Sequence, residues 1–160
     1  MADTARRTPL KPRPRPAAGR LLSIDGLSGS ALTRPRRALA ASEHAGVSWW
    51  DASGIFGDVD AAALDGSRPS ARTVILLYAG DLAFRLRWEI RPHVAEGRHV
   101  VAAPYVDTAI AFGRAAGLDD AWLRSLFAFA PDPDERVYVA GAPPAGTAGQ
   151  GFLEFTCRRL

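Results

Sequence analysis

The chain has 160 residues, 48% of them hydrophobic, and a formal net charge of +3. Its length and apolar share suit one globular domain with a core of its own. No stretch is long and apolar enough to span a bilayer, and the basic N-terminus lacks the apolar segment of a secretory signal. Cys157 is the only cysteine, which excludes an internal disulfide and a cysteine-based metal cluster, and His44, His93 and His99 show no ligand spacing. The expectation is a reduced, cytoplasmic protein with no metal site and no contact with a membrane.

The positive charge is uneven. Arg6, Arg7, Lys11, Arg13, Arg15 and Arg20 face a single acid, Asp3, within the first twenty residues. Residues 1–19 are rich in proline and poor in large apolar groups, so they cannot repay the entropy of ordering and are expected to be a disordered tail. Lys11 to Pro16 favours extended polyproline II. Because the basic character belongs to this tail and not to a folded groove, a nucleic-acid interface is not expected.

Residues 20–33 read as strand, glycine turn and helix start. Leu21, Leu22 and Ile24 form the apolar run, Gly26 and Gly29 the turn, and a helix is expected from about Thr33 to His44, with Pro35 in its first turn. A strand followed by a glycine turn and a helix N-terminus is the layout of a phosphate-binding loop, G-x-x-x-x-G-K-S/T. Gly26 and Thr33 fill its ends at the right spacing. Ala31 stands where the second glycine belongs, and Leu32 where the lysine belongs. Gly26, Gly29, Ser30 and Thr33 still supply backbone N–H groups and hydroxyls for an anion, and they are the candidate phosphate-binding residues.

Val47 to Trp50 is expected to be a second strand. Asp51 to Asp58 follows as a loop, with a short helix through Leu64. The longest helix is expected over 71–97, nearly all apolar between Val74 and Leu86 and therefore mostly buried. Asp81 interrupts that stretch. A buried carboxylate needs a partner, and Arg85, one turn on, is the expected one, with a ligand-facing cleft as the other reading. Gly97 suits a helix C-cap.

His99 to Ala103 reads as a buried parallel strand. Helices are expected over Asp107–Ala115, where Asp107 suits an N-cap, and over Asp119–Phe129. A strand over Arg136–Ala140 follows, then a Gly/Pro/Ala linker and one more possible edge strand at Gly151–Cys157. Strands alternating with helices point to a doubly wound α/β fold with a mostly parallel sheet and helices on both faces. Ligands in such sheets sit at the carboxyl ends of the strands. The expected domain is 20–142, flanked by the tail and by residues 143–160.

Several segments, in order, resemble the thymidylate kinase family of P-loop nucleoside monophosphate kinases. Leu76 to Leu82, then Ile90 to Gly97, is similar to L-L-F-A-A-D-R followed by I-R-P-A-L-x-x-G. Val100 to Phe112 is similar to V-x-x-D-R-Y-x-x-S-x-x-A-Y-Q, and Gly117 to Leu123 to G-L-x-x-x-W-L. The resemblance implies an ATP:dTMP phosphotransferase fold with an acceptor-nucleotide pocket at Tyr78, Asp81, Tyr105 and Asp107.

The departures fall on charged positions. The loop lysine is Leu32, the loop acid is Ser28, and the arginine after the helix aspartate is Leu82. The Asp-Arg pair before the tyrosine is Ala103-Pro104, and the glutamine facing the base is Gly113. Trp50 to Gly54 only echoes the family's Arg-Glu-Pro-Gly-Gly segment. The arginine-rich lid and terminal helices of the family are expected to be missing or reduced to residues 143–160. Phosphoryl transfer depends on positive charge around the transferred group, and one electrostatic stabiliser is worth about 3–4 kcal/mol. The implied protein is a thymidylate-kinase-like pseudo-kinase with no catalytic residues, binding a dTMP-like nucleotide weakly or contacting a protein. Because the family commonly dimerises through helices, a protein partner such as an active kinase, or a homodimer, through helix 71–97 is expected. The rival reading is an active dTMP kinase with relocated charges, drawn from Arg34, Arg36, Arg37, Arg85 and Arg114. Only that reading requires ATP and magnesium.

Overall fold

The apolar run after Arg20 becomes one of the two inner strands of a four-stranded parallel sheet. The computed structural model describes residues 18–26, 29–56, 58 and 69–140; the tail, the linker after 140 and the expected strand at 151–157 lie outside them. β1 (Leu21–Asp25) is buried along its whole length. It pairs with β3 (Val100–Ala103) on one side and β4 (Glu135–Tyr138) on the other, and β2 (Gly46–Trp49) pairs with β3, giving the order β2-β3-β1-β4.

Alternation along β1 and β3 sorts two cores. Leu21, Val100 and Ala102 point to one face, with Tyr78, Leu82, Phe112 and Leu123 of the covering helices. Leu22, Ile24, Val101 and Ala103 point to the other face, where Leu32 joins them. This is the covered parallel sheet expected from the continuous apolar strands.

The first helix differs from expectation. α1 spans Gly29–Ser42, four residues earlier than the expected start, so Pro35 lies inside it and not in its first turn. An interior proline costs roughly 3 kcal/mol. The earlier start carries Leu32 fully into the core, and burying such a side chain returns about 1.5–3 kcal/mol. Core packing thus offsets the cost of the proline.

The long helix is broken by a wider turn. α2 covers Ala71–Arg85, a π-helical segment Leu86–Ile90, and α3 Arg91–Ala95. Ser70 caps α2, its hydroxyl accepting from the Thr73 N–H at 3.1 Å. In the π segment the Arg91 N–H donates to the Leu86 carbonyl, five residues back. Pro92 follows at once, and the extra residue absorbs the bulk and the missing donor that a proline brings. Gly97 ends the helix at φ +83°, the left-handed cap expected of glycine. The helix is buried on one face only: Leu76, Phe84 and Trp88 are 48%, 38% and 62% exposed. Among the described residues nothing covers that side, while most of Val74 to Leu86 is buried as expected.

α4 (Val106–Ala115) and α5 (Asp120–Leu126) complete the layer over the Tyr78 face. The N-cap of α4 is Tyr105, so Asp107 sits inside the first turn and is not the cap. Asp119 caps α5 by accepting from the Trp122 N–H at 2.7 Å.

Candidate functional site

The carboxyl ends of β1 and β3 meet at one carboxylate. Asp25 ends β1, and its Oδ1 accepts from the Tyr105 N–H at 2.8 Å, the Thr108 N–H at 3.0 Å and the Thr108 hydroxyl at 2.8 Å. Thr108 Oγ1 in turn accepts from the Gly26 N–H at 3.0 Å. Asp25 therefore ties the glycine turn to the start of α4. Its other oxygen, Oδ2, is buried with no partner among the described residues. Burial raises the Asp25 pKa above the usual carboxylate value, against the lowering effect of the Thr108 and Tyr105 hydrogen bonds.

Gly26 is glycine for lack of room. A β-carbon there would stand 2.9 Å from the Val139 carbonyl oxygen and 3.0 Å from Leu32 Cδ2. The side chain in the lysine position thus packs against the first glycine of the turn. Gly29 and Ser30 form the opening turn of α1. Thr33 is its fifth residue, beyond the four N–H groups that a helix leaves open.

The other candidate residues are engaged with protein atoms. Tyr78 is buried and donates its hydroxyl to the Tyr105 carbonyl at 2.9 Å. The Tyr105 hydroxyl donates to the Pro131 carbonyl at 2.8 Å. Burial pushes both phenols well above their ordinary pKa, so they stay neutral donors. Asp107 accepts from Arg136 Nη1 at 3.0 Å and from the Tyr138 hydroxyl at 2.8 Å.

Asp81 does not pair with Arg85. Its Oδ2 accepts from the Asp51 N–H at 2.9 Å, and its Oδ1 from the Ser53 N–H at 2.9 Å and hydroxyl at 2.8 Å. It staples the loop after β2 onto α2, and Asp51 is held there at φ +58°. Arg85 turns instead to the rim. Its Nε and Nη2 donate to Ser48 Oγ at 2.9 Å and Ser48 O at 2.8 Å, and its Nη1 to Pro104 O at 3.0 Å. Ser48 Oγ passes its own hydrogen to Glu89 at 2.7 Å. The i, i+4 spacing suggested an ion pair; the turn after Trp50 and the strand ends offered each side chain better-placed backbone partners.

No family model matches the chain. "Probable thymidylate kinase" of Pyrococcus horikoshii is 36% identical over 76 residues, 48% of this chain and 37% of that protein. The "Probable thymidylate kinase" of Pyrobaculum aerophilum is 32% identical over 86 residues, 54% of this chain and 45% of that protein. The matches therefore span less than half the length of these curated relatives. Among solved structures, thymidylate kinase from Ehrlichia chaffeensis superposes with a TM-score of 0.66 at 15% identity, covering 88% of both chains. Thymidylate kinase from Candida albicans gives 0.60 at 15% identity, covering 89% of this chain and 78% of that one.

This chain is thymidylate-kinase-like. Its four-stranded parallel sheet flanked by helices is similar in fold to the thymidylate kinase from Ehrlichia chaffeensis. Within this thymidylate-kinase-like fold, the glutamine position of the sequence comparison is also filled. A β-carbon on Gly113 would stand 2.5 Å from Leu123 Cδ2, so α5 occupies the space into which a longer side chain would project. Sequence reasoning missed Asp25. The signal available was an acid closing an otherwise apolar strand directly before the glycine turn.

Proposed function

We propose that this thymidylate-kinase-like chain does not transfer phosphoryl groups and serves as a weak nucleotide-binding or protein-interaction module. One observation carries the reading: Leu32, in the position of the loop lysine, is a core residue with no exposed surface. A cation at that position would have to leave water and displace packing. Leu82, in the position of a phosphate-facing arginine, is equally buried. Losing several such stabilisers removes most of the basis for phosphoryl transfer.

The rival reading, an active dTMP kinase using ATP and magnesium with relocated cations, finds little support in the arginines. Arg85 is committed to Ser48 and Pro104, Arg114 to Asp120, and the Arg36 guanidinium lies 3.9 Å from the Trp49 ring centroid. Arg34 and Arg37 are exposed on α1.

The favoured partner is a second copy of the chain, through the helix over 71–95. Leu76 and Phe84 lie one turn either side of Gly80, and a β-carbon at Gly80 would meet nothing within 4 Å. A two-fold axis at Gly80 sets Leu76 of one copy against Phe84 of the other and lets the helices approach closely. Exposed apolar stripes of this kind mark contact surfaces.

A melting series with dTMP, dTDP and ATP plus magnesium tests the reading, together with a coupled assay of ATP-dependent dTMP phosphorylation. A bound nucleotide adds about 2.7 kcal/mol of stability at a hundredfold excess over its Kd. Turnover at enzyme-like rates would overturn the proposal; a rise in Tm with dTMP and no turnover supports the nucleotide-binding form. No rise with any nucleotide leaves the self-association form, read by sedimentation.

A further inference from the structure

The positive charge is not confined to the residues before β1. α1 holds Arg34, Arg36 and Arg37 and has no acidic residue between Gly29 and Ser42. Among the described residues none of the three makes an ion pair, whereas Arg20, Arg98, Arg114, Arg124 and Arg136 each face a carboxylate. Arg34 and Arg37 are exposed one turn apart, a spacing at which like charges repel. Arg36 lies with its guanidinium 3.9 Å from the Trp49 ring centroid and its Nε buried without a partner among the described residues. Burial, and then the charge of Arg37, lower its pKa below the usual arginine value. An anion beside α1 relieves each of these costs.

The strip of cations continues toward the tail. Arg20 donates through Nη1 to Glu43 Oε2 at 3.3 Å. Glu43 directly follows α1, so the chain enters β1 at the foot of that helix. Arg37 lies about 9 Å from Glu43 along the helix axis. Before Arg20 the sequence adds Arg6, Arg7, Lys11, Arg13 and Arg15 against Asp3 alone. Two basic segments that are separate in sequence thus meet at one corner, which corrects the expectation that the positive charge belongs to the tail and to no folded surface.

We propose that α1 and the basic stretch from Arg6 to Arg15 form one docking surface for the phosphate backbone of a nucleic acid, held without reading its bases. Guanidinium forks match phosphate oxygens, and a nucleic acid offers phosphates in the repeated array that a strip of cations needs. Beyond Ser30 the exposed residues of α1 are Arg34, Arg37, Ala38, Ala41 and Ser42. They include no amide side chain to read a base edge and no large apolar one to enter a bilayer. This surface is independent of the glycine turn and of the helix stripe.

Fluorescence anisotropy of a labelled mixed-sequence DNA duplex, with the full chain titrated in at several salt concentrations, tests this surface. The expected result is binding at about 50 mM salt, with an affinity whose logarithm falls linearly with that of the salt, and equal binding of a second, unrelated sequence. Arg34→Gln with Arg37→Gln is expected to lower the slope by about 2 at an unchanged melting temperature, and Arg13→Gln with Arg15→Gln to lower it by about the same. No binding to the duplex, a slope that either pair of substitutions leaves unchanged, or preference for one sequence would each overturn the proposal. Capture by phosphatidylserine vesicles that the duplex does not displace would overturn it in favour of a lipid surface.

Discussion

Arg85 grips Ser48 twice, through Nε to the hydroxyl at 2.9 Å and through Nη2 to the carbonyl at 2.8 Å. The guanidinium is fully buried, and with its third bond to the Pro104 carbonyl it locks α2 to the ends of β2 and β3. Replacing it by methionine keeps the bulk and strands two carbonyls. Arg85→Met is expected to cost about 3 kcal/mol, read as a lower urea midpoint at unchanged m-value. A loss below about 0.5 kcal/mol would show that water satisfies these carbonyls.

Leu32→Lys writes the missing cation back into the loop. Because the position is core, the expected outcome is destabilisation of about 3 kcal/mol or more, with no phosphoryl transfer gained. Thermal melts and a coupled ATP assay on the same preparation read both. A folded variant with turnover would show that the loop opens to admit the lysine.

Gly113→Gln tests the filled base position. Leu123 stands in the way, so the variant is expected to lose about 1–3 kcal/mol through overpacking. Adding Leu123→Ala makes room, and the double-mutant cycle should show a favourable coupling between the two sites. Independent, additive effects would mean that the glutamine escapes toward solvent.

The pH dependence of stability should carry the mark of Asp25. Its folded pKa lies above the ordinary value of 3.8 because burial disfavours the charge. The folded state then keeps the proton to higher pH than the unfolded chain. The favourable contribution is complete below 3.8 and is lost as pH rises through the folded value. Exposed carboxylates such as Asp120, whose pKa Arg124 and Arg114 lower, act in the opposite sense. The readout is therefore a difference. Wild type should lose stability relative to Asp25→Asn as pH rises above 3.8 and through the raised folded value, and parallel curves would show that Asp25 titrates normally.

Phe84→Glu places a charge on the exposed stripe without touching the core. The expected outcome is an unchanged melting temperature at low protein concentration and a shift from dimer to monomer in sedimentation velocity. A wild-type chain that is monomeric at high concentration would remove the basis for a helix-mediated homodimer.

The strands and the parallel sheet were legible in the sequence because Leu21, Leu22 and Ile24, and later Val100 to Ala103, are continuous apolar runs that only a doubly covered sheet accommodates. The start of α1 was not, because local rules for Pro35 argue for a late start while the pull of the core on Leu32 is a tertiary effect. The same limit applies to Asp81 and Arg85. Helical spacing made them look like partners, yet their hydrogen bonds go to Asp51, Ser53, Ser48 and Pro104, which lie near only once the chain has folded. The π segment left a faint trace, a proline soon after a continuous helical pattern.

The sheet order also governs when the fold can close. β1 lies between β3 and β4, so Leu21 waits for Val100 and Asp25 for Tyr138. β1, which leaves a ribosome before β3 and β4, is thus the last of the described strands to gain both neighbours, and until residue 138 has emerged Leu22 and Ile24 lack one side of their sheet. Long-range parallel pairing is slow, and an unpaired apolar edge at this stage invites aggregation. Nascent chains halted before β4 should therefore be protease-sensitive and chaperone-bound, and release should come abruptly as the fourth strand arrives.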